Sequence, residues 1–222
     1  MKHNNSIPAG CLKALCLLIL IFTGAVVITL NFRWIYYMDI SLLNLEKISG
    51  MDASSIRSCY DTLIRYNLVW NRGELIFPGL PMSGTAAIHF REVKRIFDGI
   101  QIAFLISGIL SLFFLITSRN GKRWWMRITG TAGMVLPFIL GGLIFLGWDR
   151  FFTVFHQLVF HNDYWLFDPA QDPVILLLPD TFFLQCAAII LLLIFAGSIL
   201  CILGSRRTDI PLQETAWNRY ND

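Results

Sequence analysis

The longest uncharged stretch of the chain, at residues 181–205, reads TFFLQCAAIILLLIFAGSILCILGS. Three further uncharged stretches, at 14–32, 99–118 and 128–148, are 19, 20 and 21 residues long. About 20 apolar residues in a helix span the hydrocarbon core of a bilayer, and a helix satisfies its own backbone groups there. We therefore predict an all-α integral membrane protein whose four transmembrane helices occupy about 14–32, 99–118, 128–148 and 181–204.

The composition agrees with a membrane protein, because 55% of the 222 residues are hydrophobic and only 15% are charged. Soluble domains carry roughly 25% charged residues. The five cysteines form no C-x-x-C pair, so the sequence predicts neither a zinc cluster nor a disulfide framework. The net charge of +3 gives no support for a nucleic-acid partner.

The basic residues predict which side of the membrane each loop occupies. Short segments rich in Lys and Arg lie on the cytoplasmic side of membrane proteins. Loop 119–127 contains four such residues, and both chain ends carry more of them. We therefore expect cytoplasmic termini and two extracytoplasmic segments, 33–97 and 149–180, within a single membrane domain over 1–222. The first apolar stretch is longer than an ordinary signal-peptide core and has no cleavage site after it, so we expect a retained helix.

The two extracytoplasmic segments differ in character. In the first, apolar residues recur at helical spacing between Asp52 and Trp70, with Asp52 or Ser54 as the N-cap. A second helix starts near Thr85 and continues into the second transmembrane helix, so we expect a helical subdomain. The second segment, 149–180, mixes aromatic residues with His, Asn and Asp, and its Asp-Pro pairs favour turns. This mixture predicts an aromatic-rich loop at the lipid–water boundary.

The candidate reactive residues lie at the extracytoplasmic ends of the spans. His89 lies ten residues before the second span, and His156 lies eight residues after the third. The topology therefore places both histidines on one side of the membrane near the same depth. A histidine oriented by a carboxylate is a usable general acid or base near neutral pH. The polar residues near these histidines in sequence are Glu92, His161, Asn162, Asp163 and Asp168.

Other interpretations of these residues stay open. Interfacial histidines and Asp-Pro turns often hold loops in place without catalysis. His156, His161 and Asp163 together with His89 could bind a metal ion, although their spacing matches no standard zinc pattern. Ser83 is the hydroxyl to consider as a nucleophile, but it lacks the G-x-S-x-G context and a turn role suits it better. No predicted span has a charged centre, which argues against an ion-coupled transporter.

Three sequence motifs resemble those of the lipoprotein intramolecular transacylases, a family of four-helix membrane enzymes of Gram-positive bacteria. The run 88–94, IHFREVK, is similar to one motif, and the run 61–66, DTLIRY, is similar to a weaker one. Glu92 departs from the first of these motifs, in which an Asp usually precedes the Val. The longest motif is the ordered set Phe155, His156, Phe160, Asn162, Asp163, Trp165, Phe167, Asp168, Pro169, Asp172, Leu178, Pro179, Phe182 and Phe183.

The resemblance implies a reaction, a site and a location. The substrate is a lipoprotein whose N-terminal cysteine carries a diacylglyceryl group and a free α-amine, and the enzyme moves the sn-2 acyl chain to that amine. The product is the lyso-form lipoprotein, and no cofactor is implied. The location is the bacterial cell membrane, where membrane lipid and the lipoprotein are the partners. His89 and His156 are the implied acid–base pair, and the residues that orient them or bind substrate are Glu92, Asn162, Asp163, Trp165 and Asp168.

Three function classes compete with this interpretation. A non-catalytic membrane scaffold would tolerate the loss of both histidines. A transporter would need polar side chains along the spans, and these are sparse. A zinc-dependent membrane hydrolase would need a bound metal ion.

Overall fold

The structure is a computed structural model that describes residues 7–118 and 123–206. These residues form eight α-helices and one 3₁₀ helix, and they contain no β-strand. The α-helices are α1 (Ile7–Asn31), α2 (Trp34–Leu42), α3 (Leu45–Ser49), α4 (Ala53–Tyr66), α5 (Gly84–Thr117), α6 (Trp124–Leu146), α7 (Trp148–Val159) and α8 (Asp180–Arg206), and the 3₁₀ helix is Pro173–Leu177.

Four of these helices, α1, α5, α6 and α8, are long and apolar enough to cross a membrane. α1 packs against each of the other three, and α6 packs closely against α8. The four helices expose many large apolar side chains, such as Ile109, Phe138 and Leu200. Exposed apolar surface of this extent suits contact with lipid. The predicted all-α architecture with four spanning helices is confirmed.

The spanning helices are longer than the uncharged stretches that revealed them. α1 starts at Ile7 rather than near residue 14, and it contains Lys13. The ammonium of Lys13 donates to the Ser118 hydroxyl at 2.8 Å and lies 5.9 Å from the ring centre of Phe114. α5 starts at Gly84 and runs unbroken into the second span, as predicted from residue 85. An uncharged stretch therefore marks the part of a helix that suits lipid, and the helix itself continues beyond it through charged residues such as Lys13.

Two glycines allow α6 to approach α8 closely. A Cβ atom on Gly130 would lie 2.5 Å from the carbonyl oxygen of Ser198, and one on Gly133 would overlap the Ser198 hydroxyl. Ser198 is fully buried, and its hydroxyl donates to the carbonyl oxygen of Ile194 at 2.8 Å. Small residues at helix contacts permit close backbone packing in membranes. This contact fixes α6, and therefore also the start of α7, against α8.

At one end of the spans, residues 32–83 and 147–179 fold into a unit that we call the cap. Tyr36 of α2 stacks on Tyr60 of α4 with the ring centroids 3.7 Å apart. The Tyr36 hydroxyl donates to the carbonyl oxygen of Leu177, in the 3₁₀ helix, at 2.7 Å. These contacts belong to one apolar core, so the two segments between spans pack on each other.

The helix predicted from Asp52 onward is α4. The Asp52 carboxylate accepts hydrogen bonds from the backbone N–H groups of residues 54 and 55, which makes it the N-cap. The apolar face of α4 enters the core of the cap. The helix ends at Tyr66 rather than Trp70, and the backbone of residues 67 and 69 beyond it hydrogen-bonds to the Gln101 side chain of α5.

The prediction that residues 149–180 form an aromatic-rich loop is wrong for its first part, which is α7. Phe152, His156 and Val159 are spaced by four and three residues, which places them on one face of a helix. The alternation of aromatic and polar residues that suggested a boundary loop is therefore the pattern of an amphipathic helix. The remainder, residues 160–179, is loop with one short 3₁₀ helix.

Candidate active site

His89 and His156 lie beside each other where the spanning helices meet the cap. Their ring centroids are 6.2 Å apart, and the ring planes are inclined by 31°. His89 lies in the second turn of α5 and is 7% exposed. His156 lies in α7 and is half-buried. The structure therefore brings together the two histidines that the topology placed at one depth.

Of the aromatic rings that lie against the two histidines, four come from α7 and the segment after it and form what we call the aromatic cage, which consists of Phe152, Phe160, Trp165 and Phe167. The Phe160 centroid lies 4.7 Å from that of His89 and 5.7 Å from that of His156. Trp165 lies 4.7 Å from His156, and Phe167 lies 5.5 Å from His89. The rings limit the access of water to both imidazoles. Electrostatic interactions with a substrate are stronger in such surroundings than in water.

The ring of His156 is held in one orientation by its own helix. Its Nδ1 lies 2.8 Å from the carbonyl oxygen of Phe152. A carbonyl oxygen can only accept a hydrogen bond, so Nδ1 carries the proton and the neutral ring has its lone pair on Nε2. Burial lowers the pKa of His156 from its ordinary value of 6.5, and the bond to Phe152 offsets part of that shift. The neutral form therefore predominates at pH 7, with Nε2 able to accept a proton.

His89 differs from His156, because its ring makes no hydrogen bond within the described residues and its Nδ1 is buried without a partner. The sequence suggested Glu92 as a carboxylate that orients His89. In the structure the Glu92 carboxylate instead accepts from the Asn162 amide at 3.1 and 3.2 Å. This pair joins α5, which carries His89, to the segment that follows α7. Glu92 and Asn162 therefore hold the two histidine-bearing elements in register rather than orienting a ring directly.

The remaining residues suggested by the sequence lie in different places. Trp165 belongs to the aromatic cage. Asp168 is exposed and closes its own turn, where its carboxylate accepts from the backbone N–H of Ala170 at 2.9 Å. Asp163 and His161 are exposed. Across residues 7–118 and 123–206, no group of three or more His, Cys, Asp or Glu side chains is placed to hold a metal ion.

The pair formed by Ser83 and Asp172 supports the site and was not identified from the sequence. Asp172 is 3% exposed, and its carboxylate accepts from the backbone N–H of Ser83 at 2.6 Å and from the Ser83 hydroxyl at 2.8 Å. The same hydroxyl accepts from the N–H of Ala86, so Ser83 is the N-cap of α5. The pair ties the start of α5, six residues before His89, to the loop before α8. A serine before a predicted helix and an Asp-Pro turn are the sequence features that could have suggested this pair.

Comparison with known proteins identifies the family. The sequence model of the family described as "Lipoprotein intramolecular transacylase Lit" matches residues 11–183. The chain belongs to this family. The matched residues include both histidines, the aromatic cage, the Glu92–Asn162 pair and Asp172. A comparison with curated proteins gives no match.

Solved structures of a transacylase of this family are similar over most of the chain. The membrane-integral lipoprotein intramolecular transacylase Lit from Bacillus cereus is 33% identical, with a TM-score of 0.84 over 90% of this chain and 93% of that chain. Two variants of it, in which one histidine is replaced by arginine or by alanine, are each 32% identical with a TM-score of 0.78. Each match covers 90% of this chain; it covers 89% of the arginine variant and 91% of the alanine variant.

Membership in the transacylase family confirms the family that the sequence motifs resembled. This chain is a multi-pass membrane protein and an acyltransferase that acts on lipoproteins. The family assigns it to the enzymes rather than to scaffolds, transporters or zinc hydrolases.

Proposed function

We propose that the enzyme transfers the sn-2 acyl chain of a diacylglyceryl-cysteine lipoprotein to the α-amine of the same cysteine, with His89 and His156 as the acid–base pair. The observation that carries this proposal is the proximity of the two imidazoles, 6.2 Å between centroids, inside the aromatic cage. Glu92 and Asn162 maintain the alignment of the pair, and Trp165 packs on His156. Asp163 and Asp168 lie at the exposed rim, where the polar part of a lipoprotein would pass.

The first step is attack by the amine. An α-amino group has a pKa near 8, so most of it is protonated at pH 7 and cannot attack. The ammonium form first loses one proton to water. The neutral nitrogen then attacks the carbonyl carbon of the sn-2 ester, forming an N–C bond while the carbonyl double bond opens to a tetrahedral oxyanion, to which the N–H of His89 donates. Nε2 of His156, which carries the lone pair, accepts the second proton from the attacking nitrogen.

The second step is departure of the glycerol oxygen. The tetrahedral intermediate collapses, the bond between carbon and glycerol oxygen breaks, and the histidine pair returns the proton to that oxygen. Of the three ammonium protons, one is released to water, one reaches the glycerol oxygen and one stays on nitrogen, so the products are an amide and a free glycerol hydroxyl. General acid–base assistance of this kind contributes roughly 10²–10⁴-fold to a rate. Amine and ester belong to one molecule, so positioning them together supplies a further large factor.

The described residues favour direct transfer over a covalent acyl-enzyme. The Ser83 hydroxyl is engaged by Asp172 and caps α5. Cys59 is buried, and burial raises the pKa of its thiol, which disfavours the reactive thiolate. Within the described residues, neither side chain hydrogen-bonds to a histidine ring.

The orientation in the membrane follows from the positive-inside rule. The short loop 119–127 carries four basic residues and no acidic one, both termini carry further Lys and Arg, and these three regions would face the cytoplasm. The cap and the histidine pair would then face outward, where lipoproteins are anchored. The acyl chains of the substrate would remain in lipid beside the spans while the cysteine enters the aromatic cage.

The test uses lipoproteins isolated from cells that lack the enzyme, carry the wild type, or carry His156→Ala. Tandem mass spectrometry of the N-terminal peptide locates each acyl chain. We expect an N-acyl cysteine with a lysoglyceryl group only with the wild type. An N-acyl product at wild-type level in cells carrying His156→Ala would contradict the proposal.

A further inference from the structure

Away from the histidine pair, the cap contains a polar cleft that we call the arginine cleft. It is an open cleft of about 610 Å³ between the start of α2 and the outer face of α4. The residues that line it are Arg33, Ala53, Ser54, Arg57, Ser58, Asp61 and Arg65.

We propose that the arginine cleft binds the phosphate headgroup of an anionic membrane glycerophospholipid. Three guanidinium groups face a single carboxylate, that of Asp61, so the lining carries an excess of two positive charges. Guanidinium groups bind phosphate through paired, charge-assisted hydrogen bonds. The hydroxyl of Ser58 adds a smaller polar group along the same wall, whereas the hydroxyl of Ser54 donates to the Asp52 carboxylate.

Arg57 is the group that is free to bind a ligand. The Arg33 guanidinium donates to the Asp61 carboxylate at 2.8 Å, and Arg65 donates to the backbone and a hydroxyl of its own helix. Arg57 makes no hydrogen bond or ion pair with the described residues. Its guanidinium lies over the Tyr37 ring, 5.1 Å from the centroid, which holds it at the cleft without using its N–H groups.

The position of the cleft indicates that its occupant is a lipid. Arg33 follows the end of α1 at Asn31 by two residues, so the cleft opens at the level where that span leaves the bilayer. The neighbouring side chains Phe32 and Trp34 are 50% and 68% exposed. Exposed aromatic residues at the end of a span mark the membrane–water boundary, which is the depth of lipid phosphates.

The test measures lipid retention by the full-length protein. The wild type is incorporated into nanodiscs that contain equal amounts of phosphatidylglycerol and phosphatidylcholine with identical acyl chains. It is then released into detergent, and the co-purifying lipids are counted by native mass spectrometry. We expect the wild type to retain phosphatidylglycerol preferentially, and excess inorganic phosphate to leave the retained lipid in place.

The variants assign that preference to the cleft. Arg57→Gln should reduce the retained phosphatidylglycerol roughly tenfold, because a charged hydrogen-bonding group is lost. Arg65→Gln provides an independent second variant. Arg72→Gln is the matched control, since Arg72 is also exposed and in the cap but does not line the cleft. Size-exclusion elution verifies that each variant is folded.

Three results would overturn the proposal. The first is equal retention of the two lipids by the wild type. The second is an unchanged preference in both Arg57→Gln and Arg65→Gln, or an equal loss in Arg72→Gln, which would indicate a general charge effect. The third is displacement of the lipid by inorganic phosphate, which would identify the free ion as the occupant.

Discussion

His156 donates from Nδ1 to the carbonyl oxygen of Phe152, one helical turn earlier, at 2.8 Å. Many catalytic histidines are oriented by a carboxylate, but here a backbone carbonyl performs that role. The arrangement requires only that α7 be helical, because residues four apart are adjacent on a helix. The tautomer with its lone pair on Nε2 is therefore a consequence of secondary structure.

The first prediction concerns the protonation state of His156. In ¹⁵N-histidine NMR spectra of the detergent-solubilised protein, the neutral ring should be protonated at Nδ1. Because burial lowers its pKa, the titration midpoint should lie below 6.5. The signal is assigned by its absence in His156→Gln. A neutral ring protonated at Nε2, or a midpoint above 6.5, would show that the ring is not held in this way.

The same shift has a consequence for stability. The unfolded chain binds a proton at His156 with a pKa near 6.5, and the folded chain binds it with a lower pKa. The contribution of His156 to folding stability is therefore fully present above pH 6.5 and is lost as the pH falls through the folded pKa. The wild type should lose stability relative to His156→Gln as the pH falls from 7.5 to about 5. Thermal unfolding of both proteins at the two pH values measures this difference, and an unchanged difference would argue against the shift.

The second prediction tests whether the transacylation rate depends on His156 specifically or on any histidine of the cap. His156→Ala should reduce the transacylation rate by roughly 10²–10⁴-fold, because the base is lost. His161→Ala is the matched control, since His161 is exposed and five residues away. It should retain most of the activity. Initial rates on a purified diacyl lipoprotein measure both, and equal losses in the two variants would count against a specific role for His156.

The third prediction tests the bond between Glu92 and Asn162. Asn162→Asp places two carboxylates against each other and should reduce both stability and rate. Glu92→Gln alone should have a small effect. The double variant should recover, because the new Gln amide can donate to the new Asp, with a coupling energy of about 1–3 kcal/mol. Thermal unfolding of all four proteins gives this coupling, and no recovery in the double variant would mean that the contact is unimportant.

The fourth prediction distinguishes a structural Ser83 from a nucleophile. Ser83→Ala removes an N-cap and a hydrogen bond to Asp172, which should cost about 1–2 kcal/mol of stability. Activity should persist at temperatures at which the variant is folded. Ser58→Ala, at an exposed position on α4, should change stability little. Complete inactivity of a folded Ser83→Ala would revive an acyl-enzyme mechanism.

The fifth prediction concerns the contact between α6 and α8. Gly133→Val should lower the melting temperature, because any Cβ at this position overlaps the Ser198 hydroxyl. Gly142→Val on the same helix is the matched control, since a Cβ there meets no atom within 4 Å. Melting curves in one detergent compare the two variants. Equal effects would indicate that the valine acts through helix propensity rather than packing.

The sequence predicted the four spans because absence of charge over about 20 residues has a direct physical meaning in a bilayer. It also predicted the Asp52 cap and the continuous α5, because capping and helical periodicity are local properties. Topology predicted that His89 and His156 lie on one side of the membrane near the same depth, and the structure adds the short distance between them. The helical state of α7 was missed because aromatic residues mixed with polar ones suit both a boundary loop and an amphipathic helix.

The contacts between distant segments could not be predicted. Glu92 was assigned to His89 because the two residues share a helix face, but Asn162 competes for its carboxylate from another segment. Asp168 was selected for its proximity in sequence, and in the structure it closes its own turn. Such pairings depend on how the loops fold against the spans, and no local pattern encodes that geometry.

The most direct test of the histidine mechanism follows one labelled acyl chain. Purified wild type, His89→Ala and His156→Ala are each incubated with a diacylglyceryl lipoprotein that carries a deuterated chain at sn-2. Intramolecular transfer leaves the total mass unchanged, so tandem mass spectrometry must locate the label. The wild type should place the deuterated chain on the cysteine nitrogen, and both variants should leave it on glycerol. A deuterated N-acyl cysteine formed at the wild-type rate by either variant would contradict the role of that histidine.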